Sequence, residues 1–176
     1  MPSRRREPPL RFQRPPDWLN NNGCSHEDRR EPAHRPGLLR RLDGLTLSAR
    51  PRWGTFTPAE LVCHLTDPVR VALGEKQAKP LAGPLSTPGI AHFVVWLMPW
   101  PKGAPTAPEF LPGTGMTKCT EFQQDKQTLV DVLRRLSDVS PQRVLAPSPG
   151  FGQLSHRAWG RLTWRHVDHH LRQFGL

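Results

Sequence analysis

Hydrophobic residues recur at helical spacing in several stretches of the chain, and nowhere do they alternate with polar residues over the length of a strand. Leu38, Leu39, Leu42 and Leu45 in GLLRRLDGL predict a short first helix. In FTPAE, Thr57 as N-cap, Pro58 at the first helical position and Glu60 at the third form a capping box, so a second helix is expected from Pro58 to about Leu73. IAHFVVWLMPW, residues 90–100, is the most apolar run and predicts a third, buried helix. It falls short of the roughly 20 residues that cross a bilayer and is interrupted by His92 and Pro99. Phe122, Leu129, Val132, Leu133 and Leu136 mark an amphipathic helix over about residues 118–138, free of Pro and Gly. The last helix starts at Ser155, an N-cap, and ends against Gly175, placed as a C-terminal cap.

Two Pro/Gly-rich stretches, KPLAGPLSTPG and PWPKGAPTAPEFLPGTG, make long connections for a compact domain. Four or five helices joined in this way predict an all-α fold, a helix bundle with at least one crossover connection that spans its length. Residues 1–36 are rich in Pro and Arg and too poor in apolar residues to offset the entropy of ordering, so they read as a disordered basic tail before a bundle at 37–176.

Charge alters the picture only in that tail. Twenty-five Lys and Arg against fifteen Asp and Glu give +10, and the first 41 residues hold ten of the bases and five of the acids, which is half of the excess. Arg4, Arg5, Arg6, Arg11 and Arg14 are the phosphate contacts and Trp18 the stacking ring that a nucleic-acid reading would use, but no nucleic-acid-binding motif accompanies them. The opening SRRR is followed by no apolar stretch of the length an export signal needs. Cys24, Cys63 and Cys119 are an odd count without a CxxC pair, which speaks against a disulfide framework or a cysteine zinc site. A reducing cytoplasm is the expected compartment, without membrane attachment.

The candidate chemistry lies in RHVDHHLRQFG at the end of the chain. At about 100° per residue with Trp159 at 0°, Leu162, Phe174, Val167 and Leu171 span an apolar arc, and His166 near 340° and His170 near 20° fall in its middle. His169 falls near 280°, at the edge, and Asp168 near 180°, on the opposite side. On the second helix, with Thr57 at 0°, His64 near 340° shares an arc with Leu61, Leu65, Val71 and Ala72. Three imidazoles from two helices are thus aimed at one interior, where each must satisfy two ring nitrogens. Two readings stand: hydrogen-bonded core histidines, or His64, His166 and His170 as ligands of a shared divalent cation. The HxxxH spacing suits a metal, but no Glu follows the first His, so HExxH protease chemistry is not indicated. Pro68 removes the amide that would bond the carbonyl of His64, either kinking the helix at the site or giving a tolerated bend. Glu60, one turn before His64, and Asp67, one turn after, are placed to orient a ligand or shuttle protons; their alternative roles are a helix cap and a solvated edge charge.

With these residues the chain resembles the DinB/YfiT superfamily of four-helix bundles, which carry one metal-ligating His on the second helix and an HxxxH pair on the last. The motifs are LVCHLTD, with His64, and RHVDHHLRQFG, with His166 and His170; PRWG, CHLTD, PWPKG and HHLRQFG place it nearest a bacterial branch carrying a domain of unknown function. The resemblance covers about residues 37–176. Where better-known relatives end in HRGQ this chain has HLRQ, so Gln173 keeps its place while Leu171 and Arg172 depart. The resemblance implies a histidine triad site holding a divalent transition metal, with zinc or nickel first. It also implies thiol-dependent relatives, such as enzymes that transfer bacillithiol or use mycothiol in maleylpyruvate isomerisation.

Three functions follow. The first is a metal-dependent transferase or hydrolase in which three imidazoles leave an open coordination position for a small-molecule substrate or a thiol cosubstrate. The second is a non-catalytic bundle that binds a partner, a second copy included; a closed structural ion there would need a fourth ligand, for which His169 is at hand. The third is nucleic-acid contact through the tail. With no Tyr and three scattered Cys, the chain offers no obvious protein nucleophile.

Overall fold

The computed structural model describes residues 37–98, 102–103 and 106–176. The tail and its arginines lie outside the described residues. The described residues form five α-helices, α1 (Leu38–Asp43), α2 (Pro58–Leu73), α3 (Pro88–Trp96), α4 (Phe122–Asp138) and α5 (His156–Gln173), with short 3-10 turns at Pro84–Ser86 and Pro108–Phe110. Among them no strand forms; the one β feature is an isolated bridge between Ser148 and Gly152. The fold is all-α, as the periodicity predicts.

α2 starts where its capping box places it: the Thr57 hydroxyl accepts from the Glu60 amide at 3.2 Å while the Glu60 carboxylate accepts from the Thr57 amide at 2.8 Å. Pro68 sits inside a continuous α2, which ends at Gly74 with a left-handed φ of 80°. α4 begins later than the pattern suggested, because Glu121 caps the helix by accepting from the Gln124 amide and the residues before it are extended. Its predicted apolar positions, Phe122, Leu129, Val132, Leu133 and Leu136, are all buried, and α4 packs along the length of α2. α5 follows its Ser155 cap, whose hydroxyl accepts from the Ala158 amide at 3.2 Å.

α3 corrects the expectation of a buried helix. Ala91 and Val95 are buried, but Phe93 is 51% exposed, Leu97 69% and Ile90 40%. The segment is apolar all round and only a narrow stripe finds the core. It is held to α5 instead by Arg165, which donates to the carbonyls of Val94, Val95 and Met98 at the C-terminal end of α3, where unpaired carbonyls collect.

The face of α5 opposite the histidines is not solvated either. α1 covers it, and the buried Arg41 donates to Asp168 at 2.7 Å and to the Leu176 carbonyl at 2.9 Å, while Arg172 pairs with the other Asp168 oxygen. Both side chains of the Arg41–Asp168 pair are 7% exposed. Removing one member strands the other charge, so Arg41→Ala is expected to lower stability by about 3 kcal/mol, read as a shift of the urea midpoint; a change of a few tenths would mean that Arg172 alone satisfies Asp168.

Candidate metal centre

α2 and α5 bring His64, His166 and His170 together. Their ring centroids form a nearly equilateral triangle with edges of 4.9, 4.9 and 4.8 Å, each pair edge to face. One nitrogen from each lies within 4.8 Å of the other two. His64 and His170 are buried and His166 is half-buried.

Hydrogen bonds on the far side of two rings settle which nitrogen faces inward. His64 Nδ1 lies 2.9 Å from the Phe110 carbonyl, which can only accept, so Nδ1 carries the proton and Nε2 presents its lone pair. His170 Nδ1 lies 2.8 Å from Gln173 Oε1. The Gln173 amide is oriented in turn, because its Nε2 donates to the Trp53 carbonyl at 2.6 Å. Its oxygen is therefore the atom that meets His170, and His170 Nε2 is also left as a lone pair.

The PRWG stretch gains a physical role here. Arg52 N donates to the Gln173 carbonyl at 2.6 Å, Trp53 O takes the Gln173 side chain, and Gly54 follows at a φ of 74°. A Cβ at Gly54 would stand 2.5 Å from Gln173 Nε2, so glycine is what lets the strap close on the amide.

His64 Nε2 and His166 Nε2 are 3.0 Å apart. A tetrahedral ion with bonds of about 2.0–2.1 Å spaces two ligands roughly 3.3 Å apart. That edge of the triangle is thus close to the separation a metal requires, and the others, within 4.8 Å, need at most about 1.5 Å of side-chain adjustment. The donor set, three imidazoles with two lone pairs turned inward by fixed partners, fits a divalent transition ion.

The two carboxylates flanking His64 are engaged elsewhere. Glu60 completes the helix cap, the alternative role the sequence allowed. Asp67 is not a solvated charge: it is fully buried, with Lys76 Nζ and the Thr117 amide each 2.8 Å from Oδ2 and the Thr117 hydroxyl 2.5 Å from Oδ1. Lys76 also donates to the Gly115 carbonyl. Asp67 thereby ties down the end of the connection that carries Phe110, whose carbonyl fixes the His64 tautomer. His169 stays out of the triangle, its ring edge-on to Trp53 at 5.8 Å and to His170 at 5.1 Å. Cys63 and Cys119 are free thiols in contact with each other; burial, helped by Cys119, pushes the Cys63 thiol up, away from the thiolate form. Cys24 lies outside the described residues.

Above the triad opens a cavity of about 710 Å3, within the range of small-molecule sites. Phe56 packs against His64 at 4.7 Å and His170 at 5.8 Å, and further walls come from Trp53, Phe110, Phe151 and Trp159. Phe110 and its carbonyl, and the Trp53 carbonyl, are the parts sequence reasoning missed. Backbone acceptors leave no residue-type signal, although Gln173, three residues after His170 on one helix, does.

This architecture defines a class, an all-α protein with an inward histidine triad at the floor of an apolar cavity. A family model of the DinB superfamily matches residues 29–174, and the chain belongs to that superfamily. No similar curated protein and no similar solved structure was found. Among the described residues no helix is long and apolar enough to cross a membrane.

Burial makes all three imidazoles poor bases. Desolvation lowers His64, lowers His166 far below its usual value with help from the neighbouring rings, and lowers His170 to about 3 against Gln173's opposing pull. In the unfolded chain they titrate near 6.5, so between about pH 6.5 and 3 the unfolded state binds more protons than the folded one. Stability contributed by keeping them neutral is complete above about 6.5 and declines as pH falls towards the folded values. The metal-free protein is therefore expected to have a lower urea midpoint at pH 5.5 than at 7.5, and a His64→Ala, His166→Ala double variant a flatter profile; equal midpoints in the wild type would contradict the burial of the triad.

Proposed function

We propose that this chain is a metal-dependent enzyme of the transferase or hydrolase type, with a divalent transition ion, zinc or nickel first, on His64, His166 and His170. The observation that carries the reading is the convergence of His64 Nε2 and His170 Nε2 lone pairs, each fixed by a partner on the opposite ring nitrogen, beside His166 at the floor of a roofed cavity. A bound ion supplies Lewis acidity and an open coordination position at which a water or thiol loses its proton near neutral pH.

The chain's own residues do the rest. Three ligands rather than four gather among the described residues, which favours an open, catalytic site over a closed structural one. The Phe110 carbonyl and Gln173 keep His64 and His170 in the ligating tautomer, while Phe56 packs against both rings. Among the described residues no cysteine lines the cavity and the buried Cys63 is held as a thiol, so a nucleophile would enter with the substrate or from solvent.

Purified protein is expected to hold about one equivalent of transition metal by elemental mass spectrometry, lost in both His64→Ala and His166→Ala. Full metal content in His64→Ala would remove the assignment. Gln173→Leu keeps the three ligands but frees the His170 ring. Its affinity for the ion, measured by chelator competition, is expected to fall about 10- to 100-fold with stoichiometry intact.

A further inference from the structure

We infer that the cavity over the triad takes an uncharged small molecule with an aromatic or aliphatic body and discriminates against anionic substrates and cosubstrates. The inference rests on the reading of the triad as a metal centre, which makes this cavity the reaction chamber.

The chain carries 25 Lys and Arg and a net charge of +10, yet among the described residues neither type lines the cavity. The one acid in the lining, Glu60, is already bonded to the Thr57 amide and hydroxyl. Residues 99–101 and 104–105, which flank the lining residues Gly103 and Thr106, read PWP and AP and hold no charge in sequence. Lys102 stands with Nζ 4.5 Å over the Trp53 ring, exposed and outside the lining. Phosphate- or carboxylate-binding sites draw on Arg, Lys or a convergence of backbone amides. The walls here are mostly ring faces and aliphatic carbons, with the hydroxyls of Thr55, Thr106, Ser148 and Thr163 as neutral polar groups, and the Trp159 indole N–H, a donor that an anion could use, is spent on the Ala146 carbonyl at 3.0 Å.

An ion on the triad could answer one anionic group, but any further anionic group would surrender hydration to walls that offer hydroxyls and no cationic side chain, whereas a neutral apolar body gains from burial against Phe56, Phe110, Phe151 and Trp159. A thiol cosubstrate with several carboxylates is therefore a poor occupant, and a thiol used here is an uncharged one.

The test compares 2-naphthamide with 2-naphthoate, near-isosteres that differ in charge, binding to the full chain in zinc-loaded and metal-free forms. Quenching of tryptophan fluorescence gives the Kd, and zinc is counted on the same samples. The amide is expected to bind the metal-free form at least about tenfold more tightly than the naphthoate, and zinc, which can take the one carboxylate, to narrow that gap. Its affinity should weaken several-fold in both Phe151→Ala and Leu81→Ala, two wall residues that are only partly buried. Naphthoate binding the metal-free form as tightly as the amide, no binding of the amide, or amide binding indifferent to both wall variants would overturn the inference. The two readings fail separately: preference for the amide without zinc uptake sinks the metal centre alone, while zinc uptake with naphthoate preferred by the metal-free form sinks the charge selectivity alone.

Discussion

His64 Nε2 and His166 Nε2 face each other across 3.0 Å at the floor of the cavity, and the surrounding structure answers the problem this sets. A neutral imidazole has one donor and one acceptor, and His64 has committed its donor to the Phe110 carbonyl. His170 has done the same with Gln173. Two lone pairs are thereby turned inward where few donors exist. Without an ion a single proton on His166 Nε2 can answer one of them; a cation answers both at once.

Keeping the lone pairs inward requires that their outer partners do not move, and two separate tethers see to it. The Phe110 carbonyl belongs to a Pro/Gly-rich connection with little regular structure of its own, and Asp67 anchors that connection through Thr117 and, with Lys76, through Gly115. Gln173 is held by the strap at Arg52 to Gly54, whose backbone takes both its carbonyl and its side-chain amide. Each tether is buried or half-buried and rests on charge-assisted or backbone bonds, the kinds that lose most when a partner is removed. The carboxylate one turn from His64 thus serves the ligand at one remove, by fixing the loop that fixes the ring.

Much of this was legible in the sequence. The helical periods, the Thr57–Glu60 box and the inward arcs holding His64, His166 and His170 follow from local spacing, and the structure repeats them because nothing tertiary opposes them. The misreadings share another cause. Apolar residues 90–100 suggested burial, but burial depends on how much of a helix its neighbours cover, and among the described residues of α3 only Ala91 and Val95 are buried, with Trp96 packed partly against the core. The helical wheel set Asp168 opposite the histidines, and a solvated edge was one of the two readings for Asp67. Each is buried by a basic residue distant in sequence or by a packed connection, Lys76 and Thr117 for one and Arg41 for the other, and a wheel contains no such partners.

The division of labour between helices and connections bears on what family membership can say. The three histidines come from α2 and α5, the regular elements of the bundle. Much of the cavity wall comes from elsewhere: the strap at 53–56, Leu81, the stretch at 106–112 and the turn at 148–151. Loops of this kind can change length and side chain without disturbing helix packing, so one bundle can present one metal geometry to different substrates. In this chain the described walls are largely aromatic and aliphatic and hold no Lys or Arg although the molecule is strongly basic. The triad is thus written in the helices, and much of the chamber above it in the connections.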